Sequence, residues 1–365
     1  MAGDAPVLVA AGGTGGHLFP AQALAAALAA RRIKVALATD MRAARYGDAF
    51  ASGSVHVIPS ATFRGRDPLS LARTVTTLGF GVMKALAVLA RVRPRAVVGF
   101  GGYPSVPPVF AATLCRLPTV LHEQNGVMGR ANTFLSDRVT AIATGFPGVL
   151  DDTPLKSKTT YVGNPIRPAV VAAAATPYPA LAPDGPLHLL VFGGSQGARV
   201  FSDVMPQALA LLQRSLLDRL KVVQQAREED LGRVRDAYAK LGIDSDVRPF
   251  FDDLPARMAA SHLVISRSGA STVAELSAIG RPAILVPLPH ALDQDQLANA
   301  RVLEQASGAI LIRQDAFSPE RVAADIASLA LELPRLAAMA SGARSIGRLD
   351  AAEKLADLVL AVARG

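Results

Sequence analysis

The chain has 365 residues, of which half are hydrophobic and 19% are charged, a composition typical of globular proteins and unlike that of disordered ones. This length favours about two domains. The single cysteine, Cys115, excludes an internal disulfide and fits a reducing compartment. The formal net charge of +8 indicates an anionic partner such as nucleotide phosphates or a lipid surface. Nucleic acid is not expected, because there is no block of Lys and Arg and no helix-turn-helix, zinc or RNP signature.

Two long stretches without charged residues, 5–30 and 96–115, are interrupted by glycine and proline. The first is not expected to be a secretion signal, and neither is expected to be a membrane-spanning helix. The chain is therefore predicted to be soluble, or to rest on a membrane without crossing it.

The first part of the chain alternates short apolar strands, glycine turns and helices. A strand is predicted at 6–11, a turn at 12–16 and a helix from Pro20 to about Arg32. Further strands are predicted at 33–38, 96–100 and 118–122. Near-continuous apolar strands that alternate with helices indicate a parallel sheet covered on both faces.

A basic stretch, 64–95, contains one acid, Asp67, and these seven basic residues: Arg64, Arg66, Arg73, Lys84, Arg91, Arg93 and Arg95. As a helix, it would turn Leu71, Val75, Leu78 and Val82 toward the core and leave Leu69, Phe80 and Met83 among the basic residues. Apolar side chains surrounded by Lys and Arg suit an anionic bilayer surface. A buried helix with a solvated basic face is the alternative, and Gly79 and Gly81 weaken any helix here.

The middle of the chain, 151–186, is rich in Pro, Thr, Lys and Ala and has no strong periodicity. The opening pattern then restarts with a strand at 187–192, a turn at 193–197 and a helix from about Arg199. Two units that begin alike predict two similar α/β domains, joined near 165–186. Ligands of such sheets bind beyond the carboxyl ends of the strands, so two such edges facing each other would form an interdomain cleft. The segment 351–363 is predicted to be a terminal helix with an apolar face.

The glycine turns are the candidate phosphate sites. The turn 12–17 (GGTGGH) is neither a dinucleotide fingerprint nor a P-loop, but its glycines let the backbone approach a ligand and helix N–H groups bind anions. The turn 99–105 could serve a second phosphate. Either could be an ordinary strand–helix turn, but three such turns in one chain favour phosphate chemistry. His17 is a candidate general base, because a helix N-terminus favours the neutral imidazole; a structural role is the alternative.

The stretch 265–300 is the richest in polar groups. Residues 266–275 join a strand to a helix and leave N–H and hydroxyl groups at the helix N-terminus. Glu275 can accept hydrogen bonds from ribose or sugar hydroxyls, or can be an ordinary helix carboxylate. The amides and carboxylates of 293–299 suit recognition of sugar hydroxyls; for Asp293 and Gln294 a solvated turn is the alternative.

Six motifs carry a family resemblance: GGTGGHLFPA (12–21), GFGGYP (99–104), HEQNG (122–126), GNPIR (163–167), GGSQGAR (193–199) and RSGASTVAE (267–275). In order and spacing, the chain resembles the MurG glycosyltransferases from residue 12 to residue 300. The resemblance implies an α/β protein with the GT-B fold, two Rossmann-like doubly wound domains with an interdomain cleft. It implies an acceptor-binding and membrane-associating domain at 1–165, joined by the C-terminal helix at about 346–365, and a UDP-GlcNAc-binding domain at 166–345.

The resemblance also implies an activity, the inverting transfer of N-acetylglucosamine (GlcNAc) from UDP-GlcNAc to the C4 hydroxyl of undecaprenyl-diphospho-MurNAc-pentapeptide (lipid I). The product, lipid II, serves peptidoglycan synthesis, cell shape and cell division. No metal or other cofactor is expected. The expected location is peripheral, on the cytoplasmic face of the inner membrane, with the anionic membrane surface and other cell-wall or division proteins as partners. The alternatives are another GT-B lipid glycosyltransferase, an isomerase like the UDP-GlcNAc 2-epimerases, and a non-catalytic nucleotide-sugar-binding protein.

The site residues follow from the same motifs, with His17 as the expected base. The acceptor diphosphate would contact Gly13, Gly101, Gly102 and Tyr103. Phe251 would lie by the uracil, 267–275 along the pyrophosphate and ribose, and Asp295 and Gln296 at the sugar. Asp295 departs from the family, which usually has His or Gln there. The expected donor-binding residues are Thr14, Gly15, Gly16, Asn125, Arg167, Ser195, Phe251, Arg267, Ala270, Ser271, Thr272, Val273, Ala274, Glu275, Asp295 and Gln296.

Overall fold

The computed structural model describes residues 5–12, 15–41, 54–61, 68–180, 182–194, 197–291 and 294–364, the side chains of 68–71 excepted. The chain divides into two compact units, one formed by Met1–Arg167 with Arg348–Gly365 and the other by Pro168–Gly347.

The first unit contains a seven-stranded sheet in which every pair of neighbours is parallel, in the order β3-β2-β1-β4-β5-β6-β7. Its strands are β1 (Val7–Ala10), β2 (Val35–Thr39), β3 (Val55–Val57), β4 (Ala96–Gly99), β5 (Thr119–Glu123), β6 (Ala141–Thr144) and β7 (Thr159–Tyr161). Its helices up to Arg167 are α1 (Gly15–Ala30), α2 (Pro68–Val92), α3 (Val106–Leu114) and α4 (Arg130–Ser136). This is the strand order of a doubly wound fold.

The second unit contains a six-stranded parallel sheet in the order β10-β9-β8-β11-β12-β13. Its strands are β8 (Leu187–Phe192), β9 (Leu220–Gln225), β10 (Asp244–Arg248), β11 (Leu263–Ser266), β12 (Ala283–Leu285) and β13 (Ala309–Leu311). Its helices are α5 (Pro168–Ala173), α6 (Arg199–Ala210), α7 (Arg214–Leu217), α8 (Leu231–Leu241), α9 (Leu254–Ala260), α10 (Ala270–Ile279), α11 (Asp295–Gln305), α12 (Pro319–Leu331) and α13 (Leu333–Ser345). The last helix, α14 (Ala351–Val362), belongs to the first unit.

Both faces of the first sheet are covered, and β1 shows how. Val7 and Val9 join the core cluster that contains residues of α1 and α14, whereas Leu8 and Ala10 join the cluster that contains residues of α2 and α3. Side chains of a strand alternate between the two faces of its sheet, so a strand with helices on both sides must be apolar at every position. The predicted parallel sheet covered on both faces is confirmed.

Helix α1 differs from the prediction. It begins at Gly15, five residues before the predicted start at Pro20, and contains Pro20 in its interior. The prediction treated proline as a helix start, although a proline inside the second turn removes only one backbone N–H. The consequence is that His17 lies in the first turn of α1.

Helix α2 also differs from the prediction. It continues through Gly79 and Gly81, which were expected to weaken it. The prediction for Val75 was wrong: it is 55% exposed, and the buried side of α2 is formed by Ala85, Val88 and Leu89. At Gly81 a Cβ would lie 2.2 Å from the Pro59 carbonyl oxygen. This glycine therefore allows close packing of α2, which is why it does not act as a helix breaker here. Phe80 and Met83 are exposed, as predicted. Arg64, Arg66, Asp67 and the side chains of Leu69 and Leu71 lie outside the description.

Within the described residues, one helical stretch, Ala72–Val92, has the length and the mean hydropathy, 1.5, of a helix that could cross a membrane. Length and composition are weak support for a crossing, because a helix on the surface of a sheet domain passes the same test.

Gly81 and Gly79 form a matched pair for a stability test. We expect Gly81→Ala to destabilise the protein by about 1–3 kcal/mol, because the new Cβ has no room beside Pro59. Gly79→Ala, with no atom within 4 Å of the new Cβ, should stabilise by roughly 0.5–1 kcal/mol through helix propensity. Urea unfolding of both variants measures the difference, and equal stabilities would contradict the packing described for α2.

Candidate active site

Two glycine turns meet at the switch point of the first sheet, where the connections after β1 and β4 begin. Gly12 follows β1, and a Cβ on it would lie 2.9 Å from the Cβ of Pro104, in the turn after β4. Gly101 and Gly102 have φ values of 78° and 68°, a conformation that glycine adopts without strain. The turn then enters α3 through a 3-10 segment, Tyr103–Ser105. The predicted acceptor residues Gly101, Gly102 and Tyr103 thus lie beside the turn after β1, while Gly13 and Thr14 lie outside the described residues.

His17 joins these two turns to the end of β5. Its Nδ1 lies 2.8 Å from Oε1 of Gln124. A Cβ on Gly102 would lie 3.2 Å from both Cδ2 and Nε2 of His17, so the edge of the ring faces the backbone of the second turn. The ring is half-buried. An imidazole placed here can reach a ligand bound along the second turn and accept a proton from it.

Glu123 organises the loop that carries Asn125. Its Oε1 accepts hydrogen bonds from the backbone N–H of Asn125 at 2.9 Å and from Nδ2 of Asn125 at 3.2 Å. Its Oε2 accepts from the Gly129 N–H at 3.0 Å and from Nδ2 of Asn132 at 2.7 Å. A buried carboxylate is tolerated when donors surround it in this way. The sequence analysis missed Glu123, although an acid beside the predicted ligand Asn125 was a usable signal.

Arg167 lies over the ring of Phe19, with its guanidinium carbon 5.3 Å from the ring centre. Phe19 is in α1, two residues after His17, and is 39% exposed. Arg167 therefore lies near the helix that carries the candidate base.

The second sheet has a corresponding switch point between β8 and β11. After β8, Gly194 and Gly197 have φ values of 85° and 66°, and a Cβ on Gly193 would lie 2.2 Å from the Ala198 nitrogen. Helix α6 then begins with Ala198 at its N-cap, which has no side chain able to cap it. The first N–H groups of a helix without a cap need another partner, such as a phosphate. Ser195 lies outside the described residues.

After β11, helix α10 begins in the same way. Gly269 is its N-cap and provides no side-chain cap. The next residues, Ala270, Ser271 and Thr272, are partly exposed and are followed by Ala274, which is also partly exposed. Val273 is fully buried and Glu275 is 7% exposed. For Val273, only backbone groups remain for the predicted donor contact.

The predicted sugar-binding residues contact the turn after β11. Ser268 Oγ donates to the Gln296 carbonyl at 2.7 Å, and Asn299 Nδ2 donates to the Ser268 carbonyl at 3.1 Å. Gln296 Oε1 accepts the Leu288 N–H at 3.0 Å. Asp295 is the first residue of α11, and its Oδ1 accepts the Gln296 N–H at 2.7 Å. An acid suits that position in a helix, which gives a local reason for Asp295 where the family usually has His or Gln.

Two predicted donor residues are occupied by protein contacts. Arg267 donates to the carbonyls of Val286 and Pro287, each at 3.1 Å, and to Oε1 of Gln314 at 2.5 Å. Burial lowers the pKa of its guanidinium. Phe251 is 6% exposed and lies under Arg257, whose guanidinium carbon is 4.3 Å from the ring centre. The face of the Phe251 ring is therefore covered on that side.

Metal ligands do not gather in the part of the chain that the structure describes: no three side chains among His, Cys, Asp and Glu form a group there that could hold a metal ion.

Two doubly wound parallel sheets, each with glycine turns at its switch point, define the GT-B class of α/β proteins, as the resemblance implied.

Comparisons with known proteins identify the family. Sequence models of the glycosyltransferase family 28 N-terminal and C-terminal domains match residues 7–144 and 188–358. A Rhodopseudomonas palustris (strain BisB18) protein named UDP-N-acetylglucosamine--N-acetylmuramyl-(pentapeptide) pyrophosphoryl-undecaprenol N-acetylglucosamine transferase is 60% identical over 358 residues, 98% of this chain and 96% of its own. The chain belongs to glycosyltransferase family 28.

Solved structures agree. The crystal structure of Acinetobacter baumannii MurG has a TM-score of 0.80 and 27% identity, over 97% of this chain and 99% of that one. A UDP-GlcNAc 2-epimerase from Neisseria meningitidis bound to UDP-GlcNAc has a TM-score of 0.67 but 14% identity, over 98% and 100% of the two chains. The second likeness shows the fold alone. The resemblance to the MurG glycosyltransferases is confirmed.

His122, at the end of β5, gives the site region a pH-dependent stability. Its Nε2 donates to the Gly163 carbonyl at 3.0 Å. Burial lowers its pKa from 6.5 to about 4, although that hydrogen bond acts in the opposite direction. Because the unfolded chain takes up this proton more readily, the stability contribution is fully present above pH 6.5 and is lost as the pH falls toward 4.

We expect His122→Gln, which keeps an N–H donor for Gly163, to have a flatter dependence of unfolding free energy on pH. The difference in unfolding free energy between the unmodified protein and this variant should change by on the order of 3 kcal/mol between pH 7.5 and pH 4. Urea titrations across this range measure it. Parallel curves would show that His122 does not titrate differently in the folded and unfolded chains.

Proposed function

We propose that this chain is the inverting GlcNAc transferase that converts lipid I and UDP-GlcNAc into lipid II and UDP. The observation that carries the proposal is the 60% identity, over 98% of the chain, to a transferase with these substrates in its name. The epimerase alternative has no comparable support, because its likeness extends to the fold alone. The glycine turns at the first switch point further favour a transferase, since they offer a second anion site for a diphosphate acceptor.

The first unit would bind the acceptor, and most of the expected donor-binding residues belong to the second unit. The acceptor diphosphate would lie along Gly13, Gly101 and Gly102 beside Tyr103. UDP-GlcNAc would lie over the N-terminus of α10, whose N–H groups lack a side-chain cap, with the sugar toward Asp295 and Gln296. Protein groups occupy the Arg267 guanidinium, so we propose that Arg267 shapes the loop after β12. Arg257 covers one face of the Phe251 ring, so we propose that Phe251 contacts the uracil through its backbone. The other expected donor-binding residues are Thr14, Gly15, Gly16, Asn125, Arg167, Ser195, Ala270, Ser271, Thr272, Val273, Ala274 and Glu275.

The reaction would be a single displacement. The C4 hydroxyl oxygen of the acceptor forms a bond to the anomeric carbon of GlcNAc as the bond from that carbon to the UDP oxygen breaks on the opposite face. The α-linked donor therefore gives a β-linked product. His17 takes the hydroxyl proton, and UDP leaves with the bonding electrons, stabilised by fixed N–H groups at the helix N-terminus. On this proposal the chemistry requires no metal.

The same proposal places the protein on the cytoplasmic face of the inner membrane. On α2, Val75, Phe80 and Met83 are 55%, 65% and 65% exposed. Three exposed basic residues, Arg73, Lys84 and Arg91, follow one flank of that face, about three and then about two turns apart. The opposite side of α2 is in the core, so the helix would lie on the bilayer and not cross it.

Lipid II supply would connect the protein to cell shape and cell division. Proteins of cell-wall synthesis or division are the proposed partners.

UDP release from UDP-GlcNAc, with and without lipid I, tests the reaction. We expect release only with lipid I, together with a disaccharide-lipid product. His17→Ala should lower kcat by roughly two to four orders of magnitude if His17 is the base. Donor binding without acceptor-dependent release would overturn the transferase proposal, whereas near-normal turnover of His17→Ala would overturn only the assignment of the base.

Flotation with anionic vesicles of phosphatidylglycerol tests the membrane surface. The triple variant Arg73→Glu, Lys84→Glu and Arg91→Glu should partition at least a hundredfold more weakly, at about 1 kcal/mol per basic residue. The matched control, Lys240→Glu, Arg313→Glu and Arg335→Glu, makes the same change in net charge at exposed positions of the second unit. Equal loss in both variants, or no loss in the first, would contradict docking through α2.

A further inference from the structure

We infer that Gln124 is a positioning residue that holds His17 in the tautomer with hydrogen on Nδ1, so that Nε2 is the nitrogen that accepts the acceptor's proton. The inference rests on the proposed role of His17 as the base, and adds which nitrogen acts and what selects it. It follows from three groups within the first unit, of which the first two are joined to their neighbours by hydrogen bonds and the third lies close to the ring of His17.

The first group fixes the Gln124 carboxamide. Its Nε2 donates to the Phe100 carbonyl at 2.8 Å. A carbonyl oxygen only accepts hydrogen bonds, so the NH2 end of the amide must face Phe100 and the oxygen end must face away from it. The side chain is 4% exposed, and the Gln124 main-chain carbonyl accepts from Nδ2 of Asn164 at 2.9 Å. Both the backbone and the amide of Gln124 are thus held.

The second group is the amide oxygen, which lies 2.8 Å from Nδ1 of His17. An amide oxygen cannot donate, so Nδ1 must carry a hydrogen for this contact to be a hydrogen bond. A neutral imidazole has one N–H. With that hydrogen on Nδ1, Nε2 has a lone pair and is the only ring nitrogen that can accept a proton.

The third group is the turn that lies beside Nε2. A Cβ on Gly102 would lie 3.2 Å from Nε2, and the φ of 68° at Gly102 also favours glycine. The basic nitrogen therefore lies beside the turn proposed to bind the acceptor.

The chemistry of glutamine suits this task. A carboxylate at position 124 would also orient the ring, but it would place a negative charge beside it. A neutral amide selects the tautomer without that effect. The histidine that faces His17 from β5, His122, is buried, and its lowered pKa, about 4, keeps it uncharged at neutral pH.

The test combines a spectroscopic readout with turnover. Long-range proton–nitrogen correlation of the full chain, labelled with nitrogen-15 in histidine, reports the tautomer of each ring, and His17→Ala assigns the His17 signals. We expect the unmodified protein to show hydrogen on Nδ1 and an unprotonated Nε2. A spectrum with hydrogen on Nε2 would overturn the inference without any variant.

Gln124→Met keeps the side-chain length and removes the accepting oxygen. We expect the His17 signals to shift toward the other tautomer, and kcat to fall by roughly ten- to a thousandfold, within what a correctly poised base contributes, while KM for UDP-GlcNAc changes less than about twofold. Gln124→Asn keeps an amide but withdraws it by one methylene, so it should move both readouts in the same direction. It replaces Gln124→Met in the test if that variant fails to fold.

The matched control is Gln225→Met. Gln225 is a buried glutamine at the end of β9. Its side-chain amide accepts a hydrogen bond from the Gly193 N–H and donates one to the Pro249 carbonyl, and neither partner is a histidine. Its loss should leave the His17 tautomer unchanged. An unchanged tautomer or an unchanged kcat in Gln124→Met would overturn the positioning role, whereas normal turnover of His17→Ala would instead overturn the proposed base.

Discussion

The proposed chemistry of this protein depends on the carboxyl ends of parallel strands at the switch point of each sheet. At a switch point, the connections from two adjacent strands leave on opposite sides, so a crevice forms at the carboxyl ends of those strands, where turns and helix N-termini lie. In the first unit these are the turns at Gly12 and Gly101, and in the second those at Gly193 and Gly269. In the second unit, where α6 and α10 begin without a side-chain cap, anionic substrates would be partners for the first N–H groups of these helices.

In the second unit, two arginine side chains hold the backbone by donating hydrogen bonds to carbonyl groups. Arg267 binds carbonyls after β12. Arg281 is 1% exposed and donates to the carbonyls of Ala259, Ile279 and Pro177. Their charges are used to fix the backbone, so on the proposed function a ligand at α10 would meet backbone N–H groups that need not reorganise during the reaction. Preorganised dipoles of this kind would stabilise a departing diphosphate without reorganisation at the moment of reaction.

The sequence was sufficient for features that depend on local signals. Apolar runs such as 187–192 and the glycine turns that follow them predicted the strands, the parallel sheets and the switch points, because these signals are contained in a few consecutive residues. Features that depend on distant residues were missed. Gly81 looks like a helix breaker until Pro59 is found against it, and Phe251 looks available until Arg257 is found over its ring.

The end of β5 shows why such long-range contacts matter for function. His122 bonds to Gly163, Glu123 to Asn125 and Asn132, and Gln124 to His17 and Phe100. Three consecutive buried polar residues thus hold a neighbouring strand end, a ligand loop and the candidate base. Each would be costly to bury without its partner. On the proposed function, geometry at the reacting atoms would therefore be set by residues that need not touch substrate, and substitutions at this strand end should change turnover more than substrate affinity.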